Sequence, residues 1–210
     1  TFAAPLDKQR LERIGGAVEA SIKRGDCPGA VVVIVHDNET VYRNAFGHLT
    51  LQPDKVILTP DAVFDLASIT KPVATAMSIW ILIEQGKLRL SDKVAKYWPE
   101  FAANRKDAIT IEHLLLHTSG LIADNALADY KGGKAKAMER IAALSLEAEP
   151  GKRFRYSDVG FIVLGELVER IGGEPVGTFA RKHVFEPLKM TSTGYQPQGK
   201  IKERCAPTGK

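Results

Sequence analysis

Ser68-Ile-Thr-Lys71-Pro-Val-Ala-Thr-Ala-Met-Ser-Ile-Trp-Ile-Leu-Ile-Glu-Gln85 is the stretch from which the rest of the chain is best read. After Lys71, the residues Val73, Ala74, Ala76, Met77, Ile79, Trp80, Ile81, Leu82 and Ile83 are apolar around the whole circumference of a helix. A helix apolar on every side belongs in the middle of a protein. Gly86 ends it. At its start, Ser68 and Lys71 stand three residues apart and share one helical face, so hydroxyl and amine can meet. A serine hydroxyl is a poor nucleophile until a neighbour takes its proton. Lysine can do so only when neutral, and burial at the base of an apolar helix is expected to lower its pKa. The amides of the helix N-terminus favour negative charge developing at the same place. Read alone, the four-residue pattern fits equally well a capping serine followed by a surface lysine. The position of Lys71, in the first turn of an all-apolar helix with little solvent to reach, argues for the chemical reading.

Upstream, Leu11, Ile14, Val18 and Ile22 predict an amphipathic helix over residues 7–23, with Asp7 as its cap. Cys27-Pro28-Gly29 breaks it. The β-branched run from Ala30 to Val35, a turn at Asp37-Asn38 and the segment from Thr40 to Phe46 predict a hairpin whose first strand is buried on both faces. Residues 50–60 read as loop, punctuated by Pro53 and Pro60. Downstream, residues 92–98, 109–117, 136–146, 158–171 and 175–185 read as helices, with Gly172-Gly173 ending the fourth. Two strands are a marginal sheet for so many helices, and no closing helix or strand is read before Lys210. The 210 residues are therefore expected to be part of a domain.

A second candidate cluster is Tyr156-Ser157-Asp158, after a Pro150-Gly151 turn and before a helix. A tyrosine near an ammonium loses its proton more easily and can act as general base. The same three residues also fit a packed tyrosine followed by an N-capping serine or aspartate, and the two readings are compatible. His113 and His117 have the spacing of zinc ligands on a helix, but Leu114, Leu115 and Leu116 stand where a metalloprotease needs a glutamate. No metal and no cofactor is expected. The G-x-S-x-G, Walker and dinucleotide-glycine patterns are absent.

Composition excludes other classes. A net charge of +4 comes from basic residues scattered among acids (Lys23, Arg24, Lys87, Arg89, Lys152, Arg153, Arg155), with no basic stripe for a phosphate backbone. No nucleic-acid partner is expected. No uninterrupted apolar run long enough for a membrane span occurs. Cys27 and Cys205 form no CxxC pattern, and two free thiols are expected rather than a disulfide.

Phe64-Asp-Leu-Ala-Ser-Ile-Thr-Lys71-Pro, Leu114-Leu-Leu-His-Thr-Ser-Gly-Leu121 and Pro150-Gly-Lys-Arg-Phe-Arg-Tyr-Ser-Asp158, in this order, resemble class C β-lactamases and the esterases and DD-peptidases related to them. The likeness runs from about residue 7 to about residue 195. It implies an α+β fold of the β-lactamase/transpeptidase type, an antiparallel sheet flanked by helices plus an all-helical region. On that pattern residues 1–210 form a single domain lacking its C-terminal part, with 1–60 the helix and hairpin and 61–195 the mainly helical part. The resemblance implies acyl transfer, with Ser68 attacking a carbonyl, Lys71 and Tyr156 sharing the proton, and Asp158 touching substrate. It also implies a structural His117 segment. The substrate would be an ester, β-lactam or D-alanyl peptide, a small molecule or a piece of peptidoglycan, which places the protein in the periplasm or outside the cell. Two departures stand out. Related sequences most often carry Asn where this chain has Asp158, and a carboxylate accepts hydrogen bonds without donating them. The third motif, a Lys or His followed two residues on by Gly on a strand, is missing, since Pro207-Thr208-Gly209 does not have that context. A C-terminal segment of the same protein is thus the expected partner. The competing expectation is a non-catalytic binding or regulatory module that retains this fold.

Overall fold

The computed structural model describes residues 7–208. They divide into two compact units: the residues up to Asp65 together with those from Gln196 on, and Leu66–Tyr195.

In the first unit, helix α1 (Lys8–Arg24) starts where the sequence predicts. Asp7 is its N-cap, and its carboxylate accepts from the N–H groups of Gln9 and Arg10 at 3.0 and 3.4 Å. Lys23 and Arg24 lie in the last turn, where cations suit the carbonyl end of the dipole. Strands β1 (Gly29–His36) and β2 (Glu39–Thr50) pair antiparallel through a tight turn in which Asp37 and Asn38 both take positive φ, the geometry that matches strand twist. Gly29 faces Gly47 in the register, and a side chain at Gly47 would stand 2.4 Å from the Pro28 carbonyl oxygen.

Three expectations fail in this unit. The 50–60 segment is not all loop: β3 (Val56–Ile57) pairs with β2, giving the order β1-β2-β3. Nor is β1 buried on both faces, for Val33 is 51% and Val35 62% exposed. The reason is directional. Phe46, opposite Ala30, points toward α1, where its ring lies 3.4 Å from the position of a Cβ on Gly15. Val33, opposite Arg43, stands an odd number of residues away and turns to the other face. Finally, the tail does carry structure: a short helix, Gly199–Glu203, leads to Cys205, which forms a parallel bridge with Val63. The Val63 N–H donates to the Arg204 carbonyl at 2.9 Å, and the Ala206 N–H to the Val63 carbonyl at 2.8 Å. Cys27 and Cys205 are free thiols.

In the second unit, the predicted central helix is three pieces in succession. Ala67–Ile69 is a 3-10 turn, Lys71–Ala76 is a π-helical turn, and α2 (Met77–Glu84) alone is regular. Pro72 has no N–H to give to a carbonyl one turn back, so an ordinary α-turn is already broken there. Gly86, with φ 71°, ends the helix as expected. Ala74, Ile79 and Leu82 are buried, whereas Met77 and Trp80 (47%) are exposed, so α2 is not covered on all sides among the described residues.

Around it stand α3 (Ile111–Leu115), α4 (Lys134–Ala143), α5 (Asp158–Gly172) and α6 (Val176–Ala180), the last continued by a π turn, Arg181–Phe185. Ile79, Leu82, Phe101, Leu114, Val163, Leu167 and Phe179 form one core, with α5 against both α2 and α3. The stretch read as a helix over 92–98 holds only a 3-10 turn, Val94–Lys96, ahead of Pro99. The next turns are fastened by the buried Lys106, whose ammonium donates to the carbonyls of Ala103 and Leu144 at 2.6 and 2.5 Å. Among the described residues no helix is long and apolar enough to cross a membrane.

Candidate active site

Ser68 sits in the 3-10 turn just before the π turn, and Ala67 ahead of it has φ 44°. That left-handed conformation costs a residue with a Cβ about 1–3 kcal/mol, so the backbone entering Ser68 is strained. The turn sets Ser68 and Lys71 side by side: the Lys71 Nζ donates to the Ser68 Oγ at 3.1 Å. The pairing expected from the i, i+3 spacing is present, although the backbone carrying it is not a regular α-helix.

The Lys71 side chain is only 14% exposed. Its ammonium forms an ion pair with the Asp158 carboxylate and lies 4.9 Å from the centre of the Tyr156 ring. Burial pushes the Lys71 pKa down, as the sequence predicts, but hydrogen bonds to Asp158 and Tyr156 outweigh it, and the net direction is up. The expectation of a lowered lysine pKa is therefore corrected. The cause is Asp158, a charged acceptor that an asparagine would not supply. Tyr156 moves the other way. Hydrogen bonds with Lys71, and then with Ser68, hold its phenol below the ordinary range.

Tyr156 and Asp158 owe their places to the residue between them. Ser157 is buried and caps α5, its Oγ accepting from the Gly160 N–H at 3.0 Å and donating to the Ile122 carbonyl at 2.6 Å. The cap is thus Ser157 and not Asp158, whose backbone N–H goes instead to the Ala123 carbonyl at 2.7 Å. The Ser157 N–H donates to His117 Nδ1 at 3.0 Å, and the His117 ring stacks at 4.4 Å on Tyr156 and at 5.0 Å on Phe161. His117 lies beyond the end of α3 with φ 57°, so the reading of 109–117 as one helix fails at its last residues. His113 instead closes the start of α3. Its Nδ1 accepts from the Thr110 N–H at 3.3 Å while Thr110 Oγ1 accepts from the His113 N–H at 3.2 Å, a reciprocal cap. Burial, and then the Lys71 charge, push the His117 pKa down against an opposing pull from Asp158, which favours a neutral ring able to accept. Gly120, at φ 77°, brings this loop so close to Ala148 that a Cβ would stand 2.0 Å from the Ala148 carbonyl oxygen.

Two clefts meet at the cluster. One of about 400 Å³ holds Ser68 and Tyr156 against Pro72, Ala76, Trp80 and Leu116. The other, about 460 Å³, runs from Lys71 and Asp158 past Phe161 and Met138 to Glu166. Lys71 and Phe161 line both. Phe161 and Glu166 were missed in the sequence. Only their place one and two turns along from Asp158 on α5 could have signalled them. Among the described residues no group of three or more His, Cys, Asp or Glu side chains is placed to hold a metal ion.

The sequence profile of the Beta-lactamase family matches residues 14–210. The chain belongs to the β-lactamase family. A curated relative from Escherichia coli (strain K12), which carries the provisional name D-alanyl-D-alanine carboxypeptidase, is 32% identical over 92% of this chain and 49% of its own length. Among solved structures, EstCE1, described as a hydrolase with promiscuous acyltransferase activity, superposes with a TM-score of 0.79 at 30% identity, covering 93% of this chain and 55% of that one. A penicillin-binding protein homologue from Caulobacter crescentus gives a TM-score of 0.80 at 26% identity, over 98% of this chain and 56% of its own. The fold of this β-lactamase family member is thus the one the motifs imply. The chain spans about half the length of the curated relatives it matches.

Proposed function

We propose that this chain carries the nucleophile of a serine hydrolase working through an acyl-enzyme, with Ser68 attacking, Lys71 and Tyr156 handling the proton, and Asp158 beside the substrate. The observation that carries the reading is the contact of the Lys71 ammonium with the Ser68 hydroxyl, in a cluster that also holds Tyr156 and Asp158. A hydroxyl bonded to both an ammonium and a phenol of lowered pKa has a proton acceptor at hand and a positive charge to steady the anion that forms. The Ser68 N–H is the first oxyanion donor, and a further segment of the same protein supplies the second. Substrates are esters, β-lactams or D-alanyl peptides, including peptidoglycan fragments, in keeping with the relatives named for cell-wall peptides and with EstCE1. A carboxylate at position 158 offers no donor to an amide carbonyl, which favours esters over β-lactams and peptides. Action on the cell wall places the protein outside the cytoplasm.

The test is covalent labelling with a fluorescent fluorophosphonate and a fluorescent penicillin. Labelling of the wild-type chain that disappears in Ser68→Ala is the expected result. Label retained in Ser68→Ala, or none on the intact folded protein, overturns the hydrolase reading and leaves a binding module of this fold.

A further inference from the structure

We infer that the cleft along α5 is a subsite for a straight apolar acyl chain of about eight to ten carbons, floored at Gly165 and stopped by the ion pairs of Lys134 with Glu166 and Glu169. The inference rests on the hydrolase reading above and names the kind of ester it takes.

Helical spacing lays the cleft out as a track. Asp158, Phe161, Ile162, Gly165, Glu166 and Glu169 fall on one face of α5, and all of them line the cleft. At about 1.5 Å per residue, the run from Asp158 to Glu166 covers about 12 Å. Three bonds of an extended chain span about 3.6 Å, so about ten bonds fill that length. The middle of the track is apolar: Met138 comes from α4, Phe161 and Ile162 from α5, Pro175 and Val176 from the start of α6. Gly165 leaves the floor open. Among the described residues a Cβ there would meet Val176 Cγ1 alone, at 3.7 Å. The volume of about 460 Å³ suits a small ligand.

The far end is polar but balanced in charge. The Lys134 Nζ lies 3.0 Å from Glu166 and 2.5 Å from Glu169, and Arg170 Nε donates to the other Glu166 oxygen at 2.8 Å. Two cations against two carboxylates leave no net charge to draw an ionic ligand. A methyl group pushed against these pairs would strip water from them, so the wall limits length. The near end opens at Ala67, Thr70 and Lys71, next to Ser68. Tyr156 lines the other cleft and not this one. A leaving group needs a proton, so it belongs beside the phenol, and the acyl chain belongs here.

The test is an ethyl-to-tetradecyl series of alkyl fluorophosphonates on the full chain. Each added methylene should speed the labelling of Ser68 about threefold to fourfold up to octyl or decyl, with no gain beyond. Gly165→Leu puts a side chain across the floor at no cost to the helix, and should cut the octyl-to-ethyl ratio about tenfold or more. Lys134→Met keeps the stem and removes the charge, and should carry the climb on to dodecyl. Binding is read without catalysis by NMR of ¹³C-methyl-methionine. Of Met77, Met138 and Met190, Met138 is the one that lines the cleft. Octanoate should shift the Met138 methyl signal, identified by its loss in Met138→Leu, and acetate should leave it in place. A Met138 signal unmoved by octanoate, one labelling rate across the series, or an end point unchanged in Lys134→Met overturns the inference. Should Gly165→Leu fail to fold, the wild-type series and the octanoate titration decide by themselves. If octanoate shifts Met138 while no fluorophosphonate labels the protein, the hydrolase reading fails and the subsite stands.

Discussion

Removing the Ser157 hydroxyl is the sharpest probe of how the site is built, because one oxygen serves two elements. In Ser157→Ala the Gly160 N–H loses its cap acceptor, and such losses cost about 1 kcal/mol. The Ile122 carbonyl also loses its donor at a position with little solvent, which adds about 1 kcal/mol or more. The sum is about 2 kcal/mol, or a fall of about 4–8 °C in Tm for a chain of this size. Ser157→Gly separates the two contributions, since glycine is itself a fair N-cap and forfeits only a few tenths there. It should lie about halfway between wild type and Ser157→Ala. Urea denaturation followed by circular dichroism reads the stability, and fluorophosphonate labelling reads the site. Tyr156 and Asp158 flank the lost hydroxyl, so labelling should slow by more than the stability loss alone explains. A Ser157→Ala protein as stable as wild type would show that Ile122 and Gly160 find other partners, and the account of the site's placement would be wrong.

Two further outcomes follow from the same loop. The His117 pKa is held below its ordinary value, so as pH falls the unfolded chain takes up a proton that the folded chain resists. The stability tied to His117 is therefore whole above about pH 6.5 and is lost below it. Urea midpoints between pH 8 and 5 should fall more steeply for wild type than for His117→Gln, and parallel profiles would contradict the burial of the ring and its closeness to the Lys71 ammonium. Gly120→Ala would place a methyl 2.0 Å from a backbone oxygen at a positive φ, so a loss of about 3 kcal/mol or more, seen as a large drop in Tm or as insoluble protein, is expected. A variant with wild-type Tm would mean that the 113–121 loop can shift away from Ala148 at little cost.

The sequence made local contacts legible where spacing alone dictates geometry. Ser68 and Lys71 at i, i+3, the Asp7 cap and the Asp37-Asn38 turn all depend on a few neighbouring residues, and all stand where they were read. It misled wherever the answer lay in a distant partner. The Lys71 charge depends on a carboxylate 87 positions away in the chain, and burial alone pointed in the wrong direction. The stretch after Ser68 has the composition of one helix, but its apolar pattern carries no trace of the strain at Ala67 or of the widened turn at Pro72. Burial of β1 was read from a run of valines, whereas which valine is covered depends on the side from which α1 approaches. The tail bridge at Val63 rests on two backbone hydrogen bonds, which side-chain identity does not record.

The position of β1 at the rim of its sheet has a practical consequence. Among the described residues its outer edge is unpaired over the eight residues of the strand, in which Val33 and Val35 are exposed and no proline or lysine occurs. Such a rim is a template on which any extended polypeptide can add a strand. Whether the strand that arrives is the intended one or a copy of β1 from another molecule is decided by concentration and covalent linkage. An edge of this kind belongs to the hairpin, apart from the cluster of Ser68, Lys71, Tyr156 and Asp158.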